Sequence, residues 1–289
     1  MKKYISLFSF IFIITSCDIE ESPFINDYNS YVNPDKKVLI EDFTGHKCPN
    51  CPDAARELDA IHDIYGDQII GMALHVTDFA RPIPASQAPK FQYDFRTKWG
   101  DEWDAFYGVS DAGLPRGMIN RIGYQDDSHR LGKGEWAAIV ANELKKEIDF
   151  IISLSSNESS ISITSEVQNN INGDYNIVVC LTESNIINWQ KDGLQEVENY
   201  EHNHVLRAVL IDNELSTSTS YIAGQQIQKT TNYDLSALEQ SNIDYSNNNS
   251  AGGNGNAGGW DASNMSIIAY IYNTITKEIV QVEESHLNQ

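Results

Sequence analysis

The chain has 289 residues, with 41 acidic side chains against 20 lysines and arginines, and a formal net charge of −21. So acidic a chain argues against nucleic acid and anionic lipid surfaces as main partners, because like charges repel. At this length two domains are the natural expectation.

The N-terminus sets the compartment. Lys2 and Lys3 precede an almost wholly apolar run from Tyr4 to Ile14. That run is too short to cross a bilayer core of about 30 Å as a helix, but it suits a signal peptide. It ends in ITSC, with small residues directly before Cys17. This resembles a bacterial lipobox, which implies a signal peptide over residues 1–16 and lipidation of Cys17. An ordinary secretory signal with a coincidental Cys17 is the alternative. Several acyl chains on one cysteine anchor far more firmly than one, so the partner implied is a membrane, reached through Cys17. Removing residues 1–16 takes away two lysines and no acid, moving the net charge from −21 to −23. Residues 17–35 read as a polar tether. Asp18 directly after the cysteine would mean inner-membrane retention by one sorting rule. Asp18, Glu20 and Glu21 together instead resemble an export signal, so the outer membrane is expected, at its periplasmic face or at the cell surface.

VLIEDF, Val38 to Phe43, reads as a buried strand followed by a turn signal at Thr44–Gly45. Two cysteines, Cys48 and Cys51, come next. Ala54, Leu58, Ile61 and Tyr65 then recur at helical spacing, with Gly66 closing the run. QIIGMALHV, from Gln68, gives a second strand. Residues 78–112 form an insertion with helical stretches expected around Phe91–Trp99 and Trp103–Tyr107. GEWAAIVANELKKEI, Gly134 to Ile148, supplies a closing helix.

With Cys17 lipidated, Cys48, Cys51 and Cys180 remain in an oxidising compartment. Zinc sites need about four ligands. One pair, a lone Cys180 and scattered histidines argue against a metal, and no cofactor is assigned. A structural clasp gains roughly 2 kcal/mol from so short a loop, against about 3 for fifteen residues, which tilts the reading toward redox chemistry. Cys180, in YNIVVCLTE, fits a buried small hydrophobe. A cysteine pair at a helix N-terminus has chemical meaning: free N–H groups and the helix dipole stabilise a thiolate on Cys48. Cys51 would then resolve the mixed disulfide. Lys47, and His46 if protonated, would add to that stabilisation, while Asp53 and Glu57 oppose it.

EDFTGHKCPNC resembles the thioredoxin pattern. The resemblance implies that Asp42 is a buried proton acceptor, and that GLPRGMINR, from Gly113, carries a cis Leu114–Pro115 bond with Pro115 shaping a peptide-binding edge. Three departures stand out: Pro49–Asn50 between the cysteines, Lys47 where tryptophan is usual, and the 78–112 insertion. TGHKCPNCPDAA, ALHVTDFARP, GLPRGMINR and YEHNHVLRAVL together resemble the roughly 28-kDa outer-membrane lipoprotein family of Gram-negative bacteria, a likeness that implies location and architecture better than a reaction.

After Phe150 the texture changes to short alternating stretches rich in Ser, Thr and Asn, which indicate an antiparallel sandwich. The expected fold is an α/β thioredoxin-like domain over residues 36–149, then an all-β, Ig-like sandwich over 150–289. NIDYSNNNSAGGNGNAGG, residues 242–259, reads as a mobile low-complexity loop. His202 and His204 would share a strand face, with a metal role less favoured than a structural one. Asp192, Glu196, Glu198 and Glu201 read as a solvated loop. Two functions remain open. One is an envelope thiol–disulfide oxidoreductase acting on an unknown protein or peptide. The other is a non-enzymatic surface lipoprotein, an adhesin, binding or assembly module, with a structural disulfide.

Overall fold

The computed structural model describes residues 32–287; the lipobox, Cys17 and most of the tether lie outside the described residues. β1 (Val38–Thr44) is buried along its whole length. The chain turns through residues 45–50 into α1 (Cys51–Tyr65), with Pro52 in the first turn and Gly66 closing it at φ 58°. A first turn tolerates proline because its N–H would be unpaired anyway. β2 (Ile69–His75) returns parallel to β1, in register from Val38–Ile69 to Thr44–His75. A single turn, α2 (Thr77–Ala80), precedes α3 (Lys98–Tyr107), whose Thr97 cap accepts a hydrogen bond from Gly100 N at 3.0 Å. β3 (Arg116–Ile119) pairs antiparallel with β1, and α4 (Lys133–Glu143) follows.

The helix expected around Phe91–Trp99 does not form, although Trp103–Tyr107 lies within α3. Phe91 has a φ of 49°, and residues 92–97 form no regular element. Asp94 and Arg96 make a buried ion pair at 2.8 Å, and Asp94 N donates to Asn256 O at 2.8 Å. Tertiary bonding here overrides local propensity.

The second half adds β4 (Phe150–Ser156), β5 (Ser160–Val167), β6 (Ile171–Asn172), β7 (Tyr175–Glu183), β8 (Ile186–Asp192), β9 (Gln195–His202), β10 (Val205–Glu214), β11 (Ser220–Tyr221), β12 (Gln226–Asn232), α5 (Leu235–Asn248), β13 (Met265–Asn273) and β14 (Ile279–His286). The molecule is a mixed α/β fold built on a seven-stranded sheet ordered β14-β13-β7-β10-β2-β1-β3. The compositional change near residue 150 falls at the start of β4, yet this sheet carries strands from both sides of it. β10 meets β2 in parallel at Val205–Ala73, and Ala73 N donates to His204 O at 2.8 Å. From Val32 onward the chain forms a single compact unit.

Alternation along the strands sorts side chains to two faces. Val38 and Ile40 turn toward α1 and α4, packing with Ala54, Leu58, Ile61, Trp136 and Val140. Leu39 and Phe43 face the other way, into a cluster with Met72, Tyr107, Cys180 and Tyr270. A three-stranded sheet, β12-β5-β4, lays Phe150, Ile161 and Ile163 onto Ile177, Val179 and Ile267 of the main sheet.

Residues 242–259 are not a free loop. α5 runs to Asn248, Asn242 and Ser246 are buried, and Ala257 is fully enclosed. Ser246 Oγ accepts from Gly255 N at 3.0 Å and donates to Asp94 at 2.7 Å. A Cβ on Gly253 would stand 1.8 Å from Ser246 O. Glycine is there to let two backbones touch, and low complexity mistook close packing for mobility.

Candidate functional site

Cys48 and Cys51 form a disulfide with Cα atoms 5.4 Å apart, in the turn that delivers β1 into α1. Cys51 opens the helix and its amide donates to Cys48 O at 3.4 Å. Gly45 lets this turn lie against α2: an added Cβ would meet Phe79 C at 2.6 Å. Lys47 N donates to Phe79 O at 2.9 Å from the same approach. The Leu114–Pro115 bond is cis.

Asp42 lies on β1, one face round from Glu41, and its Oδ1 has no hydrogen-bond partner among the described residues. Burial pushes its carboxyl up to about 8, because a low dielectric disfavours the charged form. Asp42 and Cys51 border a cavity of about 70 Å³ set between α1, β2 and the end of β9, large enough to hold water. His75 and His202 also line it, and His75 Nδ1 and His202 Nε2 are likewise buried without a partner. Their rings pack around Phe95, at 4.6 and 4.5 Å between centroids. Burial drives His202 down to about 3 and His75 well below its usual value, so both are neutral.

His46 does not supply the positive charge that would favour a Cys48 thiolate. Burial first, then His202 and Lys47, lower it to about 3. Lys47 is itself depressed, mainly by burial.

What covers the disulfide comes from the second half of the chain. Cys48 is 1 % and Cys51 2 % exposed. The β8–β9 hairpin lies over the turn: Lys191 N donates to His46 O at 2.8 Å, and Gly193 N to Pro49 O at 2.7 Å. Gln190 Nε2 donates to Cys48 O at 3.1 Å and Gly45 O at 3.4 Å. The 78–112 insertion contributes Phe91 and Phe95, which pack on His46 at 5.5 and 5.6 Å between centroids.

Two sequence expectations change here, and one residue was not foreseen. The acidic residues expected in a loop sit on this hairpin, with Asp192 bonded to Arg56 and Glu196 paired with Lys90. His202 ends β9, whereas His204 lies beyond it at φ 58°, so they share a cavity wall and not a strand face. Gln190 was missed altogether. The Asp192–Gly193 dipeptide between alternating stretches marks the hairpin that carries it, but not the bonds it makes. Among the described residues no group of three or more His, Cys, Asp or Glu side chains is placed to hold a metal ion. No described helix is long and apolar enough to cross a membrane.

Known proteins give this arrangement relatives. HBP35 of Porphyromonas gingivalis superposes with a TM-score of 0.58 at 15 % identity, covering 88 % of this chain and 76 % of that one. A protein from Agrobacterium tumefaciens gives 0.51 at 13 % identity, over 88 % and 95 %. A domain of the outer membrane lipoprotein Omp28 from Porphyromonas gingivalis covers 50 % of this chain and 91 % of its own, at 17 % identity and a TM-score of 0.26. At such identities the first two likenesses are of fold alone. No curated protein matches the chain. The sequence model for outer membrane protein Omp28 matches residues 101–250, more than half of the chain. The chain therefore belongs to the Omp28 family of outer membrane proteins.

Proposed function

We propose that this outer-membrane protein, anchored through a lipidated Cys17, carries a thioredoxin-like thiol–disulfide centre on residues 36–149 beside an Ig-like sandwich on 150–289. Supporting this reading is one juxtaposition: a disulfide at the N-terminal end of α1, bordering the same cavity as a buried, unpartnered carboxyl on the preceding strand. In the reduced protein, the Cys48 thiolate attacks a disulfide of a partner polypeptide, forming a mixed disulfide and releasing one partner thiolate. Cys51 then gives its proton to Asp42 and attacks Cys48 Sγ, so the partner leaves with two reduced sulfurs and the pair is oxidised. An acid near 8 suits that transfer, since an effective base works close to the ambient pH. Pro115 would shape the edge along which the partner lies. A dithiol donor of the envelope would return the two electrons.

The near-complete burial of both sulfurs favours a second reading, a binding or assembly module whose disulfide is structural. The reduction potential decides between them. In a glutathione series with thiol trapping, a value between roughly −120 and −270 mV supports exchange, and one below about −300 mV supports a structural bridge.

A further inference from the structure

We infer that the β8–β9 hairpin is a removable cover over Cys48–Cys51, and that an extended segment of a partner polypeptide reaches the sulfurs by replacing it along the carbonyls of residues 45–49. The inference rests on the exchange reading above and names what that exchange requires of its partner.

The hairpin is bonded as a separate body. Its two strands form a sheet of their own, joined to no other strand among the described residues. The β7–β10 ladder stops at Glu183–Val205 and the β8–β9 ladder begins at Ile186–His202. In the gap between them, Asn185 has a φ of 59° and His204 a φ of 58°. Left-handed backbone is uncommon outside glycine, and here it stands on both legs at the same level. Asn185 N donates to Asn203 Oδ1 at 2.8 Å, tying the legs together at this crease. On this inference the paired break is the hinge, where His204 N also donates to Ser184 Oγ and Asn185 Nδ2 to Asn264 Oδ1, each at 3.0 Å.

What holds the cover down is mainly polar, the exceptions being Ile186 against Tyr93, Phe95 and Val205, the His202 ring on Phe95, and Trp189 beside Phe91. Of the residues in β8 and β9, only Gln190 and His202 are buried, and neither is apolar. The strands of the cores bury Ile, Val and Phe at the equivalent places. Ile187 and Leu194 of the hairpin are exposed. Arg56 bonds Asp192 at 3.0 and 3.2 Å with about half of its side chain in water, and surface pairs of this kind are weak. Every strong contact to the turn is a hydrogen bond given by the hairpin to Gly45, His46, Cys48 or Pro49. The turn thus offers a row of acceptors, while its own Lys47 and Cys48 amides are spent on Phe79 and Gly45. An extended polypeptide supplies amide donors and loses little in the trade, because one peptide hydrogen bond replaces another.

The same movement reaches the proton acceptor. Tyr200, Glu201 and His202 of β9 wall the Asp42 cavity, with Asp59 of α1, His75 of β2 and His204 completing its titratable lining. Lifting the hairpin therefore uncovers Cys48 and hydrates Asp42 together. A covered pair is shielded from small thiols; an occupied one is armed.

The test uses the full-length protein in detergent. The rate at which a water-soluble phosphine reduces Cys48–Cys51 is compared with the rate of alkylation of Cys180, which reports global unfolding. We expect reduction to be the faster of the two, and Gln190→Ala combined with Asp192→Ala to accelerate it at least tenfold while it stays ahead of Cys180 labelling. Amide exchange over 186–202 should quicken as a block in that variant. The reduced protein is next offered an unstructured cysteine peptide as an aromatic mixed disulfide. Prolines flanking that cysteine remove amide donors and should slow its attack by tenfold or more. Reduction that keeps pace with Cys180 labelling, or a rate indifferent to the double substitution, overturns the cover. Indifference to the prolines overturns the docking row. The reduction potential judges the exchange reading separately, so the two failures are told apart.

Discussion

Glu41 and Arg121 meet inside the protein through hydrogen bonds of 2.6 and 2.8 Å, with neither side chain more than 2 % exposed. The same guanidinium donates to Tyr107 at 2.8 Å and Tyr270 at 2.7 Å, and lies over the rings of Trp103 and Tyr272. It thereby joins β1, α3, the end of β3 and β13. The strand's period of two sends Glu41 to this paired site and Asp42 to the unpaired one behind Cys51.

Removing one partner leaves a buried charge uncompensated. Arg121→Met should cost about 3–5 kcal/mol, read as a fall in the urea midpoint. Adding Glu41→Leu should restore a large part of the loss, as replacement of a whole buried pair by apolar groups often does. A double variant as unstable as the single one would contradict this account.

Asp42 makes stability depend on pH in a direction opposite to that of most carboxylates. Its native value, about 8, lies above the unfolded value near 4. The native state therefore holds the proton more tightly. The stability it contributes is whole below pH 4 and is lost as pH rises through 8, by up to about 1.4 kcal/mol per unit. Asp42→Asn abolishes this titration. Urea curves of the two proteins should converge near pH 4 and separate by pH 8, with the asparagine variant the more stable. Parallel pH profiles would show that Asp42 is solvated.

Cys180 should be silent. Its thiol is fully buried between Met72 Sδ at 3.8 Å and Ile268 O at 3.7 Å, and burial pushes its ionisation up. Iodoacetamide should label it only at the rate of global unfolding, with labelling complete in denaturant. Modification of the native protein within minutes would mean that the β7–β13 region opens locally.

Gly45→Ala should move the disulfide turn. The new methyl meets backbone at Phe79 and Ala80, 2.6 and 2.8 Å away, and neither can rotate aside. A loss of about 1–3 kcal/mol is expected, measured by thermal unfolding.

The sequence made α1 legible because Ala54, Leu58 and Ile61 repeat at helical spacing and Gly66 ends the run. β1 and β2 were legible by the same logic, each being short, apolar and bounded by turns. The cysteines were visible through their spacing, and Asp42 only through the resemblance to the thioredoxin pattern. Gln190 was not, because its partners are the backbone carbonyls of a turn more than 140 residues earlier, and nothing local marks such a bond. Nor was the order of the main sheet readable: β10 lies beside β2 for reasons of packing, not of adjacent sequence. Phe91–Trp99 failed for the related reason that Asp94 serves a distant serine and asparagine.

The seam between β2 and β10 governs how the protein can be made. Val205 lies 132 positions after Ala73 in the chain. A polypeptide threaded across a membrane from its N-terminus must present β2 with one flank bare until that much more has arrived. A naked flank of this kind invites pairing with any passing strand. Cys48 and Cys51, three positions apart, can close long before then. The pair can thus close early in biogenesis, before the shielding hairpin has arrived. A fragment ending before Val205 is expected to leave that flank of β2 uncovered and open to strand pairing.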